Sequence, residues 1–148
     1  MIPRSGRLAD PTTFARLCRA RDYIAASYQR RTALDEVARV AELSPWHFSR
    51  RFAEAFGETP HEFLTRLRIE RAKRLLLEHG HSVTRICFEV GYESLGSFSS
   101  RFLSLTGQSP IAFRRAAHRL FTGCSFQWPL YYIPSCHRQM FLGTAIEP

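Results

Sequence analysis

The sequence predicts an all-α fold: two helix-turn-helix units joined by one long helix and followed by an irregular C-terminal tail. Three observations predict it. Segment after segment shows apolar residues at helical spacing, opened by Ser, Thr or Asp ahead of Pro and closed by Gly. The stretch SPWHFSRRF at 44–52 returns as SLGSFSSRF at 94–102, with Ser44/Ser94, Phe48/Phe98, Ser49/Ser99, Arg51/Arg101 and Phe52/Phe102 in register. The repeat continues through Gly57/Gly107, Pro60/Pro110 and Phe63/Phe113. Between the copies one helical pattern runs over 60–78. At about 1.5 Å per residue it spans roughly 28 Å.

Residues 1–10 read as a tail ending on Asp10, an N-cap for a helix with Pro11 at its first position. Phe14, Leu17, Cys18, Tyr23 and Ile24 form its apolar stripe. Thr32, three residues before Asp35, resembles a capping box for a short helix with Leu34, Val37, Ala38 and Ala41 on its buried side. Ser44 then caps a helix with Pro45 at its first position that stops at Gly57, which closes a first unit over about 32–57. Thr59, Pro60 and Glu62 make a full capping box for the linker helix, about 60–78, whose Phe63, Leu64, Leu67, Ala72, Leu75 and Leu76 keep helical spacing up to Gly80. The second unit, about 82–106, has Gly91 in its turn and Ser94 as cap. Ser109 and Pro110 open a closing helix over about 110–119. Residues 120–148 are aromatic, broken by Pro129 and Pro134 and without helical period; they read as an extended or weakly β appendage.

The formal net charge is +8, and Lys73 is the only lysine among 21 basic residues. Arginine suits phosphate because its planar fork donates two parallel hydrogen bonds. The charge is uneven: residues 1–31 carry seven Arg against two Asp, 79–119 five Arg against two Glu, and 32–78 balance. Such a distribution favours nucleic acid over an acidic membrane surface or a protein partner. Four scattered Cys without disulfide spacing, no secretory leader and no apolar run of membrane-spanning length imply a cytoplasmic protein with reduced thiols and no membrane partner.

On the helix from Pro45, Phe48, Phe52 and Phe56 recur at i, i+4 and i+8 and face the core. Trp46, Ser49 and Arg50 share another face, with His47 and Arg51 flanking it. A short helix, a tight turn and a second helix with a cationic outer face is the arrangement that places the second helix in a major groove. There Arg50 can pair bidentately with guanine, and Trp46 can pack on a thymine methyl. Ser44 and the free N–H groups of the helix start can hold a phosphate. For one such helix a solvated amphipathic surface is the simpler reading; two copies in register favour the groove-binding one. The linker helix approaches the roughly 34 Å between successive major-groove faces, so one chain can present two heads.

Taken over about residues 12–117, the chain resembles the AraC/XylS bacterial transcription regulators. The resemblance rests on ARVAELSPWHFSRRF, GETPHEFLTRLRIERA, ICFEVGYES and FSSRFLSLTGQSPIAFR. It implies a homeodomain-like unit of about seven helices, here 11–119, that binds double-stranded DNA as a monomer with a recognition helix in each of two adjacent major-groove segments. On that match Trp46, Ser49 and Arg50 read bases from the first helix, and Leu95, Gly96, Ser97, Ser99 and Ser100 stand where the second helix reads them. Ser44, His47, Arg51, Ser94 and Arg101 are the phosphate contacts. Two departures stand out. The second helix lacks the long amides and the Arg that base reading uses, so it is expected to anchor more than to specify. Only about 30 residues precede the first unit, where the family commonly carries a large sensor domain, so regulation is expected through protein level or the C-terminal tail.

Cys124, Cys136 and His137, with His118 nearby, match no standard zinc spacing. No metal or cofactor is expected. Cys18 and Cys87 are assigned to the core, and His61, His79 and His81 to surface or capping roles near helix ends. No nucleophile, carboxylate pair or phosphate-cradling loop points to an enzyme. Two other readings remain open: a regulator that binds RNA polymerase or another transcription factor without reading DNA, and a thiol- or metal-responsive DNA-binding sensor. RNA polymerase is an expected partner, and the tail offers a route to a dimer.

Overall fold

The computed structural model describes residues 10–78 and 80–123, with side chains up to Arg119. Among the described residues seven helices follow in order: α1 (Pro11–Ala26), α2 (Leu34–Val40), α3 (Pro45–Phe56), α4 (Pro60–Leu77), α5 (Val83–Glu89), α6 (Leu95–Thr106) and α7 (Pro110–Gly123). The expected all-α double helix-turn-helix is present. The expected appendage lies outside the described residues, apart from its first four, which continue α7.

Local chemistry sets the helix starts. Ser44, Ser82 and Ser94 each accept the backbone N–H three residues on, satisfying a donor that the first turn leaves unpaired. Thr59 and Glu62 form the complete capping box. Four expectations need correction. Thr32 is not a cap: Ala33 holds that position, and the Thr32 hydroxyl donates to Ser27 Oγ at 3.3 Å, closing the α1–α2 loop. Leu34, as the first helical residue, is 43% exposed rather than buried. Cys18 is half-buried at the edge of α1, unlike the fully buried Cys87. Between Pro110 and Gly123 no Gly or Pro interrupts, so α7 runs past residue 119.

Two cores divide the molecule. Leu17, Ala20, Ile24, Val37, Ala38, Ala41, Phe48, Phe52 and Phe63 form the first. The second holds Ile69, Ala72, Leu75, Leu76, Ile86, Cys87, Val90, Phe98 and Phe102. The same ring relay recurs in each. Phe48–Phe52 and Phe52–Phe63 centroids lie 5.4 and 5.7 Å apart, Phe98–Phe102 and Phe102–Phe113 5.7 and 5.5 Å apart, within the range of favourable aromatic contact.

The repeat extends further than the opening motif. In the first unit α1 packs on α2, α3 and the start of α4; in the second, α4 packs on α5, α6 and α7. Leu17, Ala20 and Ile24 of α1 thus correspond to Ile69, Ala72 and Leu76 of α4. Helix α4 closes one core with Phe63, Leu64 and Leu67 and opens the other with Ile69. Within two residues it changes sides.

The turns differ in one respect. Leu43 N–H bonds Ala38 O and Tyr92 N–H bonds Cys87 O, both at 3.0 Å, so the two turns close alike. The residue before each closure has positive φ: Glu42 at 55° and Gly91 at 88°. That conformation is costly for an L side chain, and Glu42 adopts it with its carboxylate paired to Arg16 (3.1 Å) and Arg19 (3.3 Å).

Candidate nucleic-acid interface

Burial of Phe48 and Phe52 turns the opposite side of α3 outward. Trp46 is 65% exposed, His47, Arg50 and Arg51 are exposed, and Ser49 is half-buried at the margin. The first head is internally braced. Arg50 Nε donates to Glu54 Oε1 at 3.0 Å, and Arg51 Nη1 donates to Glu54 Oε2 at 3.2 Å. The Arg50 guanidinium carbon lies 5.7 Å from the Trp46 ring centroid, and Trp46 meets His47 edge-on at 4.9 Å. Hydrogen bonding to Arg50, ahead of the nearby positive charges, holds the Glu54 carboxyl below the usual carboxylate range. Ser44 Oγ is engaged at the cap, accepting from His47 N–H and pairing with His47 Nδ1 at 2.8 Å.

Helix α6 presents a different surface. Ser94, Leu95, Gly96, Ser97, Ser100 and Arg101 are exposed, while Ser99 is half-buried like its counterpart Ser49. Ser94 Oγ accepts from Ser97 N–H and donates to Ser97 Oγ at 2.9 Å, so both hydroxyls already have partners. Ser104 stands where the repeat has Glu54, and Arg101 makes no ion pair among the described residues. The first head couples two Arg to one carboxylate; the second offers one Arg and small hydroxyls.

The structure thus brings all thirteen sequence-assigned residues onto two equivalent helices and their caps, with Ser49 and Ser99 at the half-buried margin. Sequence reasoning missed Glu54, although its i+4 spacing from Arg50 and i+3 spacing from Arg51 are sufficient signal. It also missed Arg68, at the junction of the two units. Its Nε donates to Tyr28 O at 2.8 Å and its Nη2 to Arg30 O at 3.1 Å. No helix among the described residues is long and apolar enough to cross a membrane.

Two short-helix, turn, capped-helix units sharing one helix define the double helix-turn-helix class. A family model described as a helix-turn-helix domain matches residues 37–116, and the chain belongs to this AraC/XylS-type family. The DNA-binding domain of AdpA, a global transcriptional factor solved with a target DNA, superposes with a TM-score of 0.68 at 25% identity, covering 73% of this chain and 97% of that one. The C-terminal domain of AraT, a response regulator from Geobacillus stearothermophilus, gives 0.65 at 28% identity over 90% and 99%. In sequence, the uncharacterised regulator YobQ of Bacillus subtilis (strain 168) is 28% identical over 96 residues, 65% of this chain and 40% of that protein. The chain spans less than half the length of the curated relatives it matches.

Proposed function

We propose that the chain is a sequence-specific, double-stranded-DNA-binding transcriptional regulator that seats α3 and α6 in successive major-groove segments as a monomer. The observation that carries this reading is the repeated outward face: two Ser-capped helices, in equivalent places, with cationic or hydroxyl groups opposite buried Phe pairs. The likeness to a domain solved on its target DNA supports it. Base choice rests chiefly on Trp46 and Arg50; Ser44, His47, Arg51, Ser94 and Arg101 serve the backbone. We place the protein in the cytoplasm, with RNA polymerase as its protein partner and binding rather than catalysis as its activity.

Selection of sites from random duplexes, followed by footprinting at two salt concentrations, tests this. A single chain should protect two short segments about one helical turn apart on one face. Affinity should fall steeply with salt as neutralised phosphates release counterions. Undetectable binding to any duplex, together with retention on RNA polymerase, would replace this reading with the protein-interaction one.

A further inference from the structure

Arg68 sits where α4 changes cores, between Leu67 on the first and Ile69 on the second. Its guanidinium is half-buried and meets both units. Toward the first it donates to the carbonyls of Tyr28 and Arg30; toward the second, its carbon lies 5.5 Å from the Tyr92 ring centroid. Four consecutive loop residues take part. Tyr28 and Arg30 face Arg68. Gln29 O presses on Gly91 so closely that a Cβ there would lie 2.5 Å away, and Arg31 Nη1 approaches Glu93 Oε1 at 3.6 Å. The loop is itself braced: Ser27 Oγ donates to Tyr23 O at 2.7 Å, and Arg30 pairs with Glu36 at 2.7 Å.

The equivalent residue of the first unit behaves differently. By the register that matches Leu17 to Ile69 and Ala20 to Ala72, Arg68 corresponds to Arg16. Arg16 reaches the turn residue of its own unit, Glu42, at 3.1 Å. In the second unit that turn residue is Gly91, which offers no carboxylate, and the Arg68 Nη2 lies 3.0 Å from where its Cβ would be. The guanidinium passes over the turn and bonds the other unit instead.

We propose that Arg68 is a positioning residue. By tying the 28–31 loop of the first unit to the 91–93 turn of the second, it sets the rotation and separation of α3 and α6, and with them the one half-site spacing the protein accepts. This rests on the two-headed DNA reading above. Hydrogen bonds from a fork to two carbonyls fix direction as well as distance, and so resist the bending that a single shared helix permits.

Two measurements on the full chain test it. Residual dipolar couplings in a neutral stretched gel should fit one alignment frame for both units in the wild type. In Arg68→Met, which keeps the aliphatic stem, they should require two. With DNA, one base pair inserted between the half-sites moves the second about 3.4 Å and about 34° around the axis, and should weaken wild-type binding on the order of ten-fold. The Arg68→Met penalty should shrink to about three-fold or less, with affinity for a duplex holding only the first half-site unchanged. If Arg68→Met does not fold, Gly91→Ala takes its place, with Gly57→Ala as the control for positive φ in open space. A single frame and an undiminished spacing penalty in a folded variant would overturn the proposal. So would a wild type whose units align independently. Absence of any wild-type DNA binding would instead count against the DNA reading, while the alignment frames still decide the role of Arg68.

Discussion

Arg50 lies across the face of Trp46, 5.7 Å from the ring centroid, and is kept there by Glu54. A long cationic side chain on an exposed helix ordinarily samples many rotamers, and ordering it on binding costs free energy. Contacts with Glu54 and the Trp46 ring narrow that choice before DNA arrives. Arg50→Ala should therefore cost about 1–3 kcal/mol on the selected site and relax choice at one or two base pairs. An equal loss on random duplex would assign Arg50 to phosphate. In a double-mutant cycle with Trp46→Ala, the combined loss should fall short of the sum of the two.

Glu54 is a negative charge on the face proposed to meet DNA. Glu54→Ala leaves Arg50 and Arg51 without their carboxylate, so binding to random duplex should tighten, with a salt slope steeper by about 1. The ratio of specific to random affinity should fall, because the freed forks take phosphates as readily as bases. A variant with weaker binding to both duplexes would show that Glu54 holds the helix, not the fork.

The two heads should contribute unequally. Hydroxyls donate and accept, so Ser97, Ser99 and Ser100 discriminate bases poorly, and the Ser94 and Ser97 hydroxyls are already paired with each other. Base-pair substitutions costing about 1–3 kcal/mol should cluster in the half-site under α3. The half under α6 should respond to salt and to DNA shape. An even spread over both halves would assign base reading to backbone groups or bridging waters of α6.

The capping box should be visible in acid. Bonds from the Thr59 backbone N–H, then its hydroxyl, hold the Glu62 carboxyl below the usual carboxylate range. A depressed folded pKa adds stability that is fully present above the unfolded value, about 4.3, and is lost as pH falls through the folded value. Glu62→Gln keeps an acceptor at this position but cannot titrate. The urea-midpoint difference between wild type and variant should therefore narrow as pH drops below about 4.3.

The starts of α3, α4 and α6 and the stops of α3 and α6 were legible because caps, first-position prolines and closing glycines act within one turn, whereas α7 overran its expected end for want of a Gly or Pro. The exposed faces of α3 and α6 were legible because the Phe48/Phe98 and Phe52/Phe102 register turns the opposite side to solvent. Ile69 escaped notice since it begins a new stripe instead of continuing the one through Leu64 and Leu67. Thr32 misled because its hydroxyl found Ser27 first. The Arg68 contacts had no sequence signal at all: their acceptors are backbone carbonyls 38 and 40 residues away, and a carbonyl looks the same on every residue.

Helix α4 supplies the last wall of one core and the first wall of the next, so the two heads are not separable domains in the thermodynamic sense. Cutting the chain after Leu77 would strip the second core of Ile69, Ala72, Leu75 and Leu76; cutting before Pro60 would open the first at Phe63. Melting either core unravels a helix the other needs, and heat should remove both in one cooperative transition, with calorimetric and van't Hoff enthalpies equal. Building a one-headed version would require giving each half its own copy of α4. As the chain stands, the α3 head and the α6 head should share a single melting temperature.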